Sequence, residues 1–409
     1  MTDPTILISI NTSWNIVNFR GGLVQALREH GYRVVAATPH DDFTPRLDRL
    51  GVEHVPIAID QRGTSPVRDL ALLASYFRIL RQVRPSLYLG YTAKPNIYGS
   101  LAAHALDIPV INNVAGLGET FMKKDWLNRL VRVMYKAALT RSRRVFFQNS
   151  DDRDLFTAAG IVRPGNTGLL PGSGIDLERF APVAKPAGEE VRFLLVARLL
   201  AAKGIGEYVE AARRLRPHFP NVRWQIAGIL EEGRSGAVPA SALRGWEAEG
   251  LIDYLGALED VRPAIGDADA LVLPSYYPEG TPRSLLEGAA MGKPLITCDL
   301  PGCRNVVRDG VSGYLCAPRD AASLAEAMRR LVGLADGDRA AMGRASRRLA
   351  EECYDQRLVI DRYLAEIDGI LTVNRPTDGV PDSPAAAPRG AWPAAAARPS
   401  TRRRLRKGR

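Results

Sequence analysis

A chain of 409 residues, 46% hydrophobic and 24% charged, is too long for one ordinary core and suits a globular protein of two domains. No apolar run approaches the ~18–20 residues of a membrane span. The net charge of +10 is concentrated in two places: residues 122–144 carry +7 and residues 375–409 another +7, leaving −4 elsewhere. Nucleic-acid binders more often spread cations over a folded face, so that class is disfavoured. The N-terminus, MTDPTILISINTSW, has no basic stretch before its apolar run and reads as a first strand, not a signal peptide. Cys298, Cys303, Cys316 and Cys353 lack C-x-x-C spacing and the five histidines are scattered, so reduced thiols are expected and a metal site is not.

Along the first 180 residues, short β-branched runs alternate with amphipathic stretches, the pattern of a parallel sheet with crossover helices. Strands are expected at Ile6–Ile10, Arg33–Ala37, Leu87–Gly90, Val110–Asn113 and Val145–Gln148, with helices over Asp69–Gln82 and Asn96–Leu106. Gly172–Glu190 is rich in Gly, Pro and charge and reads as an inter-domain linker. A second series follows, with strands at Phe193–Ala197, Arg223–Ala227, Leu251–Gly256, Ala270–Pro274 and Pro294–Thr297. Its helices are expected over Gly204–Arg216, Pro282–Met291 and Ala321–Leu334, with a terminal helix over Gln356–Leu371. The domains are drawn at 1–180 and 181–373, the second including the terminal helix. Residues 374–409, Pro-, Ala- and Arg-rich, are expected to be a disordered basic tail. Two doubly wound halves imply a cleft faced by the carboxyl ends of both sets of strands.

Three stretches carry chemistry. In LVLPSYYPEGTPRSLLEGAAMGKPLIT (Leu271–Thr297), an apolar strand leads to a polar loop with Glu279 and then to a helix. Thr281 is the expected N-cap and Pro282 the first helical residue, which would turn the N–H groups of Arg283 and Ser284 toward the cleft as an anion site. Glu279 and Glu287 flank that helix start and suit the hydroxyls of a nucleotide sugar. By spacing alone, a plain surface loop before a capped helix with a solvated Glu287 fits equally. In VARLLAAKGIGEYVEAA (Val196–Ala212), Arg198 and Lys203 lie between a strand end and a helix, where two cations could neutralise a departing diphosphate. Two solvated loop cations are the plain alternative. In NFRGGLVQALREHGYRVV, Gly21 and Gly22 are placed where the first strand turns into the first helix, a point of close backbone approach to a ligand or merely of tight packing.

The Leu271–Thr297 stretch resembles the signature of glycosyltransferase family four, P-S-x-x-E-G-x-x-x-x-x-x-E-A-x-A-x-G-x-P. Glu279, Gly280, Glu287, Ala290, Gly292 and Pro294 fall on it, with Gly288 in place of the usual Ala, and Pro274 and Ser275 supply its opening pair with one more residue before the glutamate. Arg198, Lys203 and Gly204 resemble the family's G-R-L…K-G stretch, with Ala197 departing from it. Tyr91–Ala103, Asn112–Phe121, Phe147–Phe156, Gly172–Phe180 and Asp299–Leu315 extend the resemblance over about residues 5–335. The resemblance implies a GT-B fold, two Rossmann-like doubly wound α/β domains facing a central cleft. It also implies that Glu279 positions the transferred sugar, that Glu287 holds the ribose, and that Arg198 and Lys203 meet the diphosphate. Pro282 stands where many members have Gly, Asn305 where Glu is frequent, and Asn112–Asn113 where many carry a His.

The expected activity is therefore that of a retaining glycosyltransferase needing neither metal nor cofactor, the nucleotide sugar being a substrate. It would move a hexose or N-acetylhexosamine from a UDP sugar to a saccharide acceptor, polyprenyl-diphosphate-linked, in surface glycan assembly. A sugar-nucleotide epimerase of the same fold is the alternative. Lys123–Arg144 reads as an amphipathic helix with Trp126, Leu127, Leu130, Val131, Met134, Tyr135, Ala138 and Leu139 on or near the packed face. Its cations, Lys123, Lys124, Arg129, Arg132, Lys136 and Arg141, fall mostly elsewhere and could meet anionic lipid. The expected location is the cytoplasm, with peripheral contact to the inner face of the membrane.

Overall fold

The computed structural model describes residues 3–60, 63, 65–117, 126–185, 190–231 and 233–373. Expectations for Lys123, Lys124, Gly118–Phe121 and the basic tail lie outside the described residues. Seven strands form a first sheet: β1 (Thr5–Ser9), β2 (Arg33–Thr38), β3 (Glu53–Pro56), β4 (Leu87–Tyr91), β5 (Val110–Val114), β6 (Arg144–Phe147) and β7 (Thr167–Leu169). Six form a second: β8 (Val191–Val196), β9 (Val222–Ala227), β10 (Asp253–Tyr254), β11 (Ala270–Leu273), β12 (Leu295–Cys298) and β13 (Gly313–Cys316). The orders are β3-β2-β1-β4-β5-β6-β7 and β10-β9-β8-β11-β12-β13, and neighbouring strands are parallel throughout. Central strands covered on both faces are largely apolar, and TILIS, LYLGY and VINNV are buried at every position, with the amides of Asn112 and Asn113 hydrogen-bonded.

Strand order reverses between β1 and β4 in the first sheet and between β8 and β11 in the second. Chain leaving two such strands diverges to opposite faces, which opens a crevice at the carboxyl edge. One face of the first sheet is covered by helices Pro66–Val83, Ser100–Ala105 and Trp126–Leu139, through Leu72, Tyr76, Ala102, Tyr135 and Ala138. Helices Ser13–Phe19, Gly21–Glu29 and Gln356–Val373 cover the other, through Ile16, Val24, Val359, Tyr363 and Ile367.

The terminal helix follows the second half in sequence but packs on the first. Tyr32 donates to Asp368 at 2.7 Å, Arg144 pairs with Glu366 at 2.8 Å, and the Asn113 amide donates to the Tyr363 hydroxyl at 3.0 Å. The chain thus crosses between the sheets twice, and the crossings are bonded to each other: Ile175 N–H donates to Tyr354 C=O at 2.7 Å and Gln356 N–H to Ile175 C=O at 2.9 Å. The first part of the expected linker is accordingly packed, with Ile175 and Phe180 buried in the core of the second half, while residues 181–184 are exposed. The helix expected from Asn96 opens with a π turn, Pro95–Gly99, before Ser100–Ala105. All four cysteines are free, and Cys298 and Cys316 face each other across β12 and β13 with sulfurs 3.9 Å apart. Among the described residues no helix is long and apolar enough to cross a membrane.

Candidate active site

Because β8 and β11 are neighbours at the second reversal of strand order, the loops that follow them meet. After β8 the chain passes Arg198 to a short 3-10 turn, Ala201–Lys203, and Gly204 closes it with φ of +79°. A Cβ at Gly204 would lie 2.2 Å from the Pro274 carbonyl oxygen, so only glycine fits. The Ala202 carbonyl accepts the N–H groups of Tyr276 and Tyr277 at 2.9 and 3.0 Å, stitching the two loops together. On this frame Lys203 pairs directly with Glu279, each side chain only 12% exposed. Ser275 Oγ donates to the same Glu279 oxygen at 2.9 Å, and the Lys203 ammonium lies 5.0 Å from the Tyr277 ring centre. Arg198 turns away, with its guanidinium half-exposed and 3.6 Å from Glu231.

The helix after Glu279 runs Arg283–Ala290, one residue later than its sequence suggests, and Pro282 is its N-cap with no side-chain bond. Thr281 does not cap it. Its N–H donates to Gln148 Oε1 at 3.0 Å and its hydroxyl to the Gln148 carbonyl at 3.2 Å, so its hydrogen bonds go to the first domain. Glu287 is not a solvated helix residue. It is buried and paired at 3.2 Å with Arg283, one turn earlier. Burial pushes the Glu287 carboxyl above its ordinary range, opposed by Arg283, and lowers the Arg283 guanidinium, opposed by Glu287. Arg283 also bonds the Gly174 carbonyl and Ser173 Oγ, the latter at 3.1 Å, and lies over the rings of Phe19 and Phe180. Its side chain therefore ties the glutamate helix to the crossing segment. Ser284 occupies the second position of the helix, on the same open first turn.

Gly21 and Gly22 are not at a strand-to-helix turn. A separate helix, Ser13–Phe19, intervenes because Thr12 caps it, accepting the Asn15 N–H at 3.2 Å; the Gly pair then opens a second helix, Gly21–Glu29. A Cβ on Gly21 would meet nothing within 4 Å, whereas one on Gly22 would lie 2.7 Å from Gln356 Oε1. Gly22 thus lies against the end of the Gln356 side chain, at the start of the terminal helix. Asn112 and Asn113 do not substitute for a reactive His. Asn112 is buried among Asn96, Ser100 and Ser142, and Asn113 bridges Gln148 and Tyr363.

Among the first-domain residues that reach the glutamate loop are Gln148 and Asn149, which follow β6; sequence reading did not single them out. Beside the Gln148 bonds to Thr281, the Asn149 amide donates to the Glu279 carbonyl at 3.4 Å, and Asp151 pairs with Arg304 at 3.0 Å. The available signal was Asn149 before Ser-Asp-Asp, an N-cap whose side chain accepts the Asp152 N–H at 2.8 Å. Gly280 sits where these loops converge. A Cβ there would lie 2.4 Å from Gln148 Oε1 and 2.5 Å from the Ala115 carbonyl oxygen, and one on Gly302 would lie 1.9 Å from the Gly280 oxygen. Gly280→Ala is expected to cut turnover by at least about tenfold, since displacing a positioned group by about 1 Å can cost 10²-fold. Steady-state kinetics checks this, and unchanged turnover would show that the close approach is dispensable.

Two family models match the chain: "Glycosyl transferase 4-like domain" over residues 17–172 and "Glycosyl transferases group 1" over residues 190–333. The chain is a glycosyltransferase of family four. The transferase is 24% identical over 375 residues to the N,N'-diacetylbacillosaminyl-diphospho-undecaprenol alpha-1,3-N-acetylgalactosaminyltransferase of Campylobacter jejuni, covering 87% of this chain and 96% of that one. It is also 24% identical over 284 residues to the UDP-Gal:alpha-D-GlcNAc-diphosphoundecaprenol alpha-1,3-galactosyltransferase of Escherichia coli, 66% of this chain and 72% of the relative. Anabaena HepE, solved with UDP and glucose, superposes with a TM-score of 0.73 at 17% identity over 89% of this chain and 99% of that one. Sucrose-phosphate synthase of Thermosynechococcus elongatus gives 0.75 at 18% identity over 91% of this chain and all of that one. Both likenesses establish the transferase's two-domain GT-B fold.

Proposed function

We propose that the chain transfers a hexose or N-acetylhexosamine, with retention, from a UDP sugar to a saccharide carried on a polyprenyl diphosphate. The observation that carries the reading is the Lys203–Glu279 pair at the β8–β11 reversal, beside the open first turn of helix Arg283–Ala290. A diphosphate arriving there competes for the Lys203 ammonium and releases the Glu279 carboxylate to a sugar hydroxyl. The N–H groups of Arg283 and Ser284 lie on the same turn for the phosphate oxygens. Arg198 reaches the diphosphate by leaving Glu231, and Glu287 takes the ribose hydroxyls. Acceptors linked to diphospho-undecaprenol in the names of the Campylobacter and Escherichia relatives support the acceptor class, and a UDP donor in the latter supports the nucleotide.

In this scheme the acceptor oxygen bonds to the anomeric carbon on the face from which the diphosphate departs, and the departing phosphate oxygen takes the acceptor's proton. The enzyme supplies orientation and charge stabilisation. Positive charge at the leaving group comes from Lys203, Arg198 and the helix start, so the scheme assigns no step to a metal. Contact with the inner membrane face follows from a lipid-linked acceptor.

One assay tests the reading: a panel of UDP sugars with a diphosphate-linked saccharide, in excess chelator, with product configuration read by NMR. Transfer with retained anomeric configuration is expected. Activity lost in chelator and restored by magnesium or manganese overturns the metal-free scheme. An inverted product overturns retention. Conversion of the donor into another nucleotide sugar without acceptor favours the epimerase alternative.

A further inference from the structure

The helix Trp126–Leu139 has apolar residues on two sides. Tyr135, Ala138 and Leu139 are buried against the sheet, with Val131 and Met134 partly so. Trp126 and Leu130, expected on that packed face, instead project outward with Val133. At about 100° per residue, positions 126, 130 and 133 form one stripe on the side of the helix opposite the core. The helix Pro66–Val83 repeats the arrangement: Leu72, Tyr76, Ile79 and Leu80 face the core while Val67 and Leu70 face outward. These five side chains are 45 to 78% exposed and are nearly half of the large apolar residues exposed among those described.

Both helices cover the same face of the first sheet, and both begin at its carboxyl edge, one after β3 and the other after β5. Between them lies the segment that follows β4. Its Lys94 and Tyr98 hold Asp69 of the first helix at 2.6 and 2.8 Å. The exposed apolar groups therefore begin at the cleft-side rim of the first domain and continue down the outer side of these helices. Arg129, Arg132 and Lys136 flank the stripe on one side and make no ion pair among the described residues, whereas Arg141 pairs with Asp107 at 3.3 Å.

We propose that this two-helix face seats the protein on an anionic lipid bilayer, with Trp126, Leu130 and Val133, assisted by Val67 and Leu70, entering the headgroup–acyl boundary while Arg129, Arg132 and Lys136 meet lipid phosphates. An apolar stripe beside a cationic one is the composition that lies in a membrane interface, and Trp is favoured there for its amphipathic ring. A second copy of the chain is a poor occupant, because two such faces would bring like charges together. The inference rests on the lipid-linked acceptor for its purpose: the surface begins at the rim through which a membrane-held saccharide reaches the cleft.

The test is flotation of the full-length chain with phosphatidylglycerol/phosphatidylcholine vesicles and with phosphatidylcholine alone. Leu70→Gln/Trp126→Gln/Leu130→Gln and Arg129→Gln/Arg132→Gln/Lys136→Gln are each expected to bind anionic vesicles at least about tenfold more weakly. Binding of the unaltered chain should fall with salt yet keep a share, since apolar insertion is not screened. Brominated acyl chains should quench a part of the emission that Trp126→Phe lacks. Equal anionic-vesicle binding by the apolar variant, no such quenching, or a concentration-dependent dimer abolished by that variant each overturns the proposal. Arg402, Arg403, Arg404, Arg406, Lys407 and Arg409 are changed to Gln in every form compared, because the cationic tail could otherwise hold the protein on anionic vesicles by itself. Both variants should retain transfer to a water-soluble acceptor analogue; absence of transfer in the unaltered chain would sink the functional reading while leaving the vesicle result intact.

Discussion

Lys203→Ala is expected to lower turnover by about 10²-fold or more, the scale of losing one preorganised charge-stabilising group. The argument is positional. Lys203 sits on a turn that Gly204 alone can close, held to the next loop by the Ala202 carbonyl, so its ammonium is fixed at the strand reversal. It also neutralises a mostly buried Glu279, and its removal leaves that carboxylate with Ser275. Two losses are therefore combined, and they can be separated. Glu279→Gln removes the need for a counter-ion while keeping Lys203 for the diphosphate. A cycle of Lys203→Ala, Glu279→Gln and the double variant should be strongly non-additive in turnover, because the two groups act as a unit. UDP affinity should fall with Lys203→Ala and rise or hold with Glu279→Gln. Near-wild-type turnover in Lys203→Ala would remove it from the diphosphate site. Arg198→Ala is the companion: if Arg198 swings from Glu231 to the donor its loss costs a similar factor, and if it stays with Glu231 turnover holds and the diphosphate role narrows to Lys203.

The parts of this fold that could be read from sequence are those whose local signal and tertiary role agree. Parallel strands are rich in β-branched and other apolar residues, so β1, β2, β4, β5, β8, β9, β11 and β12 were expected near their observed places. Short edge strands carry little such signal: β3, β7 and β13 are three or four residues each and left no clear pattern. The helix Asp336–Cys353 was missed because its sequence is mostly polar and only Met342, Gly343, Ser346, Leu349 and Ala350 are buried. Motif spacing singled out Glu279, Lys203, Arg283 and Glu287 as candidates, but not the side chains and carbonyls that they meet. That Lys203 meets Glu279, that Thr281 is held by Gln148 and that Arg283 reaches Gly174 are long-range facts with separations of 76, 133 and 109 residues. The two-sided helix Trp126–Leu139 misled for a related reason. Periodicity shows that apolar residues recur, yet the neighbouring helices decide which of them are covered.

Arg283→Met is expected to destabilise the protein by about 3–5 kcal/mol, the usual cost of leaving one member of a buried ion pair without the other. Glu287 is buried and Arg283 is its only ion-pair partner among the described residues; Arg283 in turn fastens the glutamate helix to Ser173 and Gly174. The deficit should depend on pH with a definite sign. Burial already holds the Glu287 carboxyl above its ordinary range, and losing Arg283 removes the largest of the interactions that oppose that rise. A carboxyl that titrates higher folded than unfolded binds more protons in the native state between the two values. Stability is therefore lost as pH rises from the ordinary carboxylate range through the folded value. Urea unfolding of Arg283→Met should accordingly show a smaller deficit near pH 5 than at pH 8. Glu287→Gln makes the contrast, because the stranded guanidinium cannot shed its proton across that range and its deficit should stay level. Arg283→Met/Glu287→Leu should recover much of the stability, yet UDP binding should remain weak if Glu287 also holds the ribose. An Arg283→Met protein within about 0.5 kcal/mol of wild type at both pH values, the range of an ordinary surface change, would mean that the pair is not what holds this helix.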